Sequence, residues 1–320
     1  MAWRNETTVT EFIFQGFPRI PQLQISLFVS LLVIYLTTLT GNILMIVVIW
    51  LDYRLHTPMY LFLINLSFLE TCFVSLLVPK MLVDFLSEKK MITFNGCMTQ
   101  CYFYFLMGTT DFFLLTTMSY DRYVAICHPL HYPTIMSNKL CIQLVIGCWV
   151  VTSLLLLPPI ILLSRLPFCG PKVINHFFCD SSTLLNLACT NTDFIKLINL
   201  IISIIVLVGP LLLIVVSYVY IISTILRIPS AHGRNKAFST CASHLSMVTI
   251  SFGSAIFIEI RPTGKKSSDI DKAVLMVSSI LAPLLNPFIY TLRNEKVKEA
   301  LRDALNRSVR RCKKGREIKV

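Results

Sequence analysis

The chain has 320 residues, of which 55% are hydrophobic and only 14% charged, with a formal net charge of +12. Soluble domains sit nearer a quarter charged, so an ordinary soluble globular protein is excluded. One polytopic membrane domain accounts for the length.

In chain order, residues 1–22 carry Arg4, Glu6, Glu11 and Arg19 without an apolar run. No cleavable signal peptide is expected there, and the first span serves as its own insertion signal. Apolar stretches of about 20 residues can cross a bilayer as helices. Such stretches lie at 23–50, 59–82, 96–127, 140–163, 196–226, 237–260 and 272–292. The expected fold is an all-α membrane protein, a seven-transmembrane helix bundle over 23–292. Residues 293–320 form an amphipathic helix and a basic tail, with Val297, Leu301, Ala304 and Leu305 along one side of the helix. That pattern fits a helix lying on the inner membrane surface. Beyond it, Cys312 is either palmitoylated or a free thiol.

Charge sets an orientation, but only through the tail. Of the 29 Lys and Arg, 11 fall in 293–320 against four acids, whereas the three inner loops carry five and the outer segments, with the outer ends of the spans, 12. Basic residues favour the cytoplasmic side. Two signals agree: Asn5-Glu6-Thr7 is a glycosylation acceptor, and Cys97, Cys169, Cys179 and Cys189 all fall on the face opposite the tail, where disulfides persist. The expectation is a multi-pass plasma-membrane protein with its N-terminus outside and its C-terminus inside. Four cysteines allow three pairings, among which spacing does not choose.

The third span runs 24 residues from Cys97 to Asp121, about 36 Å of helix. Asp121-Arg122-Tyr123 is therefore expected at the cytoplasmic interface. The bland alternative is an ordinary snorkelling Arg.

Matching parts surround it. Gly41-Asn42 lies in the first span, Leu55-His56-Thr57-Pro58-Met59-Tyr60 opens the second, and Pro79-Lys80-Met81-Leu82 closes it. Ser217-Tyr218 lies in the fifth, KAFSTCASHL from Lys236 opens the sixth, and PLLNPFIYTLRN from Pro283 closes the seventh. This set resembles the olfactory receptors, of the tetrapod-type class, within the rhodopsin-like G-protein-coupled receptors. The resemblance implies an odorant receptor that activates a heterotrimeric stimulatory G protein through Asp121, Arg122 and Tyr123 and raises cyclic AMP. It also implies the pairings Cys97–Cys179 and Cys169–Cys189. Membrane lipids are the other expected partners, with no nucleic acid.

Two acids stand inside the membrane. Glu70 lies about 18 Å beyond Pro58, and Asp111 about 15 Å before Asp121. A charge there costs roughly 2.5–3.5 kcal/mol. Either one is protonated in a structural pair, or the two hold a Na⁺ ion that favours the inactive state, as in similar receptors, with Asn286 nearby. No other cofactor is expected. The family usually has Glu where Asp111 stands, and the shorter arm puts direct coordination in question. Pro210 and Pro287 are hinge candidates, the alternative being fixed bends.

The resemblance also implies a ligand cavity in the outer half of the bundle. It would be lined by Tyr104, Phe105, Gly108 and Thr109, by Ile202, Ser203 and Val206, by Phe252, Ala255, Ile256 and Glu259, and by Met276 and Ser279. This mostly apolar lining suits small volatile ligands; helix packing is the alternative for each position. Glu259 stands where the family usually has Tyr, and is either a solvated rim residue or a partner for a hydrogen-bond-donating or cationic odorant. Other readings are a related receptor for a non-odorant metabolite or amine, or a membrane transporter, which would show internal repeats. No nucleophile–His–acid set, zinc spacing or phosphate loop marks an enzyme.

Overall fold

In a bilayer every backbone N–H and C=O must find its partner within the chain, so apolar segments of this length fold as helices. The computed structural model describes residues 9–16, 21–169, 172–260, 269–293 and 296–303. Asn5 and Cys312 lie outside the described residues. A short strand, β1 (Glu11–Phe14), is followed by α1 (Pro21–Leu51), a 3-10 turn at Tyr53–Leu55, α2 (Pro58–Leu86) and β2 (Met91–Thr93). Next come α3 (Phe94–Cys127), the single turn α4 (Tyr132–Ile135), α5 (Asn138–Ser164), β3 (Val173–Ile174) and α6 (Ser181–Leu187). The long α7 (Asp193–Leu226), α8 (Ala231–Ile260) and α9 (Asp269–Arg293) follow, and residues 296–303 are again helical.

Seven long helices, α1, α2, α3, α5, α7, α8 and α9, make the bundle. Most extend past the apolar spans read from sequence; α8 begins at Ala231 rather than at 237. Six are long and apolar enough to cross a membrane. The exception is α3, whose 34 residues are diluted by Thr, Tyr, Asp111, Asp121 and Arg122. It packs against α2, α5, α7 and α8, and these neighbours shield it from lipid.

Polar groups inside the bundle are mostly settled locally. Thr38, Thr110 and Thr152 each donate to the carbonyl four residues back, the usual solution for hydroxyls in helices. Pro287 is a different case. It has no N–H, so the Pro283 carbonyl loses its helical donor. Asn42 on α1 supplies a replacement, its Nδ2 donating to Pro283 O at 3.1 Å. The close approach that this requires explains Gly41, where a Cβ would stand only 3.3 Å from Pro287 side-chain carbons. Both Pro210 and Pro287 sit inside continuous helices.

The helical stretch 296–303 does not merely lie on a surface. Val297 and Ala300 are buried in the main core, with Leu301 packed against it. Arg54 of the 3-10 turn bonds Asp303 at 2.8 Å, tying that stretch to the turn.

One end of the bundle carries a sheet absent from the all-α expectation. Strand β1 lies between β2, antiparallel, and β3, parallel. Its alternation buries Phe12 and Phe14 and exposes Glu11 and Ile13. Phe12 packs on Phe94 and on Phe168, with ring centroids 6.1 and 5.6 Å away. Beneath the sheet, Cys97 is bonded to Cys179, and Cys169 to Cys189. Lys272 at the start of α9 is 3% exposed and donates to Asn175 Oδ1 at 2.7 Å and Gly16 O at 3.4 Å. It pins the N-terminal segment and the α5–α7 loop to the bundle.

The Cys97–Cys179 bond joins residues 82 apart, so cutting it restores about 4–5 kcal/mol of chain entropy to the unfolded state. Cys97→Ser is expected to lose most surface delivery and to melt well below wild type when the protein is extracted in detergent. Wild-type surface staining of that variant would contradict this role.

Candidate functional site

Three places along the bundle carry chemistry. At the sheet end, the thirteen candidate ligand residues divide into groups. Gly108 lies on the inward face of α3 between Tyr104 and Phe112, one turn from each. A Cβ built at Gly108 meets nothing within 4 Å, so open space adjoins it. Below that space, Phe252 of α8 is buried and its ring lies 4.6 Å from that of Phe112. Thr109 and Val206 are buried, while Ile202, Ser203 and Ala255 are partly buried and Ile256 packs on the main core. Phe105 instead joins the cluster under the sheet. Tyr104 and Met276 pack in a third cluster among α1, α2 and α9, and Ser279 is the hydrogen-bonding neighbour of Tyr104 there. Glu259 is exposed at the end of α8.

In mid-bundle, Glu70 and Asp111 are electrostatic neighbours, as their matched depths allow. The Ser251 hydroxyl lies beside Asp111, and Asn42 beside Glu70. Glu70 Oε2, Asn42 Oδ1 and Asn286 Oδ1 are buried here without a hydrogen-bond partner, as are Tyr290 OH, which reaches both the acids and Arg122, and Ser119 Oγ, a turn from Arg122 on α3. Buried polar atoms seldom stay unsatisfied, so these are the atoms that a water or an ion would satisfy. The oxygen-only character suits a hard cation. Among the described residues, no group of three His, Cys, Asp or Glu is placed to hold a metal. Any ion would therefore rest on two carboxyl groups and amide oxygens.

At the opposite end, Asp121 and Arg122 are both buried. Asp121 does not take Arg122 as its main partner. Its Oδ1 accepts from the Tyr132 hydroxyl at 2.8 Å, across the loop from α4. Burial, and then the Asp121 carboxylate, hold the Tyr132 hydroxyl well above the usual phenol range, so it remains a donor at neutral pH. Arg122 is 5% exposed and its Nε has no partner. Tyr218, Cys241, His244 and Tyr290 lie within electrostatic reach of it. Tyr123 reaches His128, with Oη 3.1 Å from Nε2.

His244 joins three helices. Its Nε2 stands 3.0 Å from the Leu115 carbonyl of α3, and its Nδ1 stands 2.9 Å from the Tyr218 hydroxyl of α7. A carbonyl only accepts, so Nε2 carries the proton, and a singly protonated ring takes the Tyr218 hydroxyl as donor at Nδ1. Tyr218 and His244 both lie in motifs of the sequence, but they sit on different helices, so nothing local pairs them. Tyr132 and Lys272 gave no sequence signal, because their partners lie on other elements.

The family model described as "Olfactory receptor" matches residues 31–308. Human olfactory receptor 6X1 is 49% identical over 302 residues, covering 94% of this chain and 97% of that protein. Human olfactory receptor 6T1 is 51% identical over 301 residues, covering 94% and 93%. Squid rhodopsin aligns with a TM-score of 0.68 at 18% identity, covering 92% of this chain and 88% of that one, which speaks to the fold alone.

The Asp121–Tyr132 bond offers a check independent of these likenesses. Tyr132→Phe deletes the donor to a buried carboxylate, a hydrogen bond of about 1.5–3 kcal/mol. Thermal unfolding of the purified protein is expected at a distinctly lower temperature. Tyr53→Phe, at an exposed tyrosine, should change nothing.

Proposed function

Because the chain belongs to the olfactory receptor family of rhodopsin-like G-protein-coupled receptors, we propose that it binds a small, mostly apolar odorant beside Gly108 and activates a stimulatory G protein through Arg122. The observation that carries this reading is the open space at Gly108, set over the Phe112–Phe252 contact. A ligand there touches α3 and α8 together. Those helices are joined nearer the Arg122 end by His244 on the Leu115 carbonyl. Moving α8 away from α3 breaks that bond and uncovers Arg122. A ligand drives this change only by binding the opened packing more tightly than the closed one.

In this reading the sheet end faces outside and the Arg122 end faces the cytoplasm, in keeping with the basic tail of the sequence and the two disulfides. Glu70, Asp111 and Asn286 would hold a sodium ion, supplying positive charge between two carboxyl groups. The unpartnered Glu70 Oε2 and Asn286 Oδ1 support that assignment. Glu70 and Asp111 cross-connect α2 and α3, so charge held between them favours the closed packing. Glu259, exposed at the rim, is left to solvent rather than to ligand.

A cyclic AMP reporter with a chemically diverse volatile panel tests the main reading. Gly108→Leu fills the open space and is expected to abolish responses while the protein still reaches the surface. Arg122→Ala should remove the cyclic AMP rise at normal surface level. A response of the wild type to non-volatile metabolites alone would replace odorant with metabolite; full signalling by Arg122→Ala would remove the coupling assignment. For the ion, the purified wild type should melt higher in sodium chloride than in choline chloride, and Asp111→Asn should lose that difference. Equal melting of the wild type in both salts would discard the sodium site.

A further inference from the structure

We propose that Phe178, backed by Phe177, sets the upper limit on ligand length by filling the branch of the bundle between α1, α2 and α9. This rests on the ligand reading of the space at Gly108. After β3 the chain does not stay on the surface but drops into the bundle. Cys179 is bonded to Cys97, and its backbone N–H donates to Gln100 Oε1 at 3.1 Å. Both contacts are to α3, so the residue just before Cys179 has little freedom. Phe178 is 1% exposed, and its ring lies 4.2 Å from that of Tyr104. Phe177 packs behind it at 5.2 Å. The two rings share one cluster with Leu31 of α1, Val74 of α2 and Ile280 of α9.

The space at Gly108 therefore has two aromatic ends. One turn from Gly108 toward the sheet stands the Tyr104–Phe178 ring pair, and one turn the other way the Phe112–Phe252 pair. Eight residues of α3 separate Tyr104 from Phe112, about 12 Å along the helix. The floor is made by α3 and α8, which the proposed response moves. The other end is made by a loop side chain held through a disulfide, which gives a fixed stop. The group that decides size is thus a loop residue, outside the helix positions read as lining, and Tyr104 and Met276 act by holding it.

Phe178→Ala and the milder Phe178→Leu are tested with straight-chain aldehydes, alcohols and carboxylic acids of increasing length, and with their phenyl-terminated counterparts. Potency in the wild type should rise about fourfold per methylene while apolar room remains, then fall at a cut-off. Both variants should move that cut-off to longer members, Ala further than Leu, with surface level measured alongside. If Ala fails to reach the surface, Leu carries the test. Phe62→Leu, buried in the main core, should leave the cut-off where it is. An unchanged cut-off in a surface-delivered Phe178 variant overturns the limit while leaving the ligand reading intact. A wild type silent toward every series overturns both.

Discussion

The structure depends on one constraint: a polar atom in the middle of a membrane must find a partner inside the chain or hold water or an ion against it. Pro287 shows how far the constraint reaches. By lacking an N–H it strands the Pro283 carbonyl, and the repair comes from Asn42 on a different helix. That repair needs α1 and α9 in close contact, which Gly41 permits. A backbone defect in the seventh long helix thereby fixes the packing of the first. It also leaves the Asn42 Oδ1 atom unpartnered beside Glu70.

The same constraint separates scaffold from function. Hydroxyls such as Thr38, Thr110 and Thr152 are satisfied within their own helices and do nothing further. Most of the atoms left over among the described residues fall between the acid pair and Arg122. Glu70, Asn42, Asn286, Ser119, Tyr290 and Arg122 each keep an unpartnered buried atom. Charge interactions tie Tyr290 both to Glu70 and Asp111 and to Arg122. A cost accepted at so many neighbouring points marks a polar path between the acid pair and Arg122. Such a path can change partners when the helices shift, which a fully satisfied core cannot.

Much of this was legible in the sequence because helices in membranes are local objects. Length and apolarity located the spans, and a rise of about 1.5 Å per residue put Glu70 level with Asp111 before any contact was known. The sheet was not legible. Strand β1 has four residues, and its partners lie at 91–93 and 173–174, so nothing local distinguishes it from a tail. The α3 helix looked like one more apolar span, although its polar content is tolerable only because four helices surround it. Position along a helix identified candidate lining residues but not their direction. Tyr104 and Gly108 are one turn apart, yet Tyr104 supports Phe178 while Gly108 borders open space. The loop that separates them in role enters from more than sixty residues away, beyond the reach of periodicity.

The two halves of the bundle differ in what holds them, and that difference gives the molecule a direction. The sheet half is closed by two disulfides, three paired strands and the buried Lys272. The Arg122 half has no covalent closure among the described residues. Its ties are the Arg54–Asp303 ion pair, the core contacts of Val297 and Ala300, and single hydrogen bonds that join Tyr132 to Asp121 and His244 to Leu115 and Tyr218. Each such bond is worth about 0.5–3 kcal/mol net, within the range that a small ligand's differential binding can offset. In the proposed reading, a ligand beside Gly108 meets a fixed stop toward the sheet, where Phe178 is held through Cys179, and shifts the packing at the end that holds Arg122.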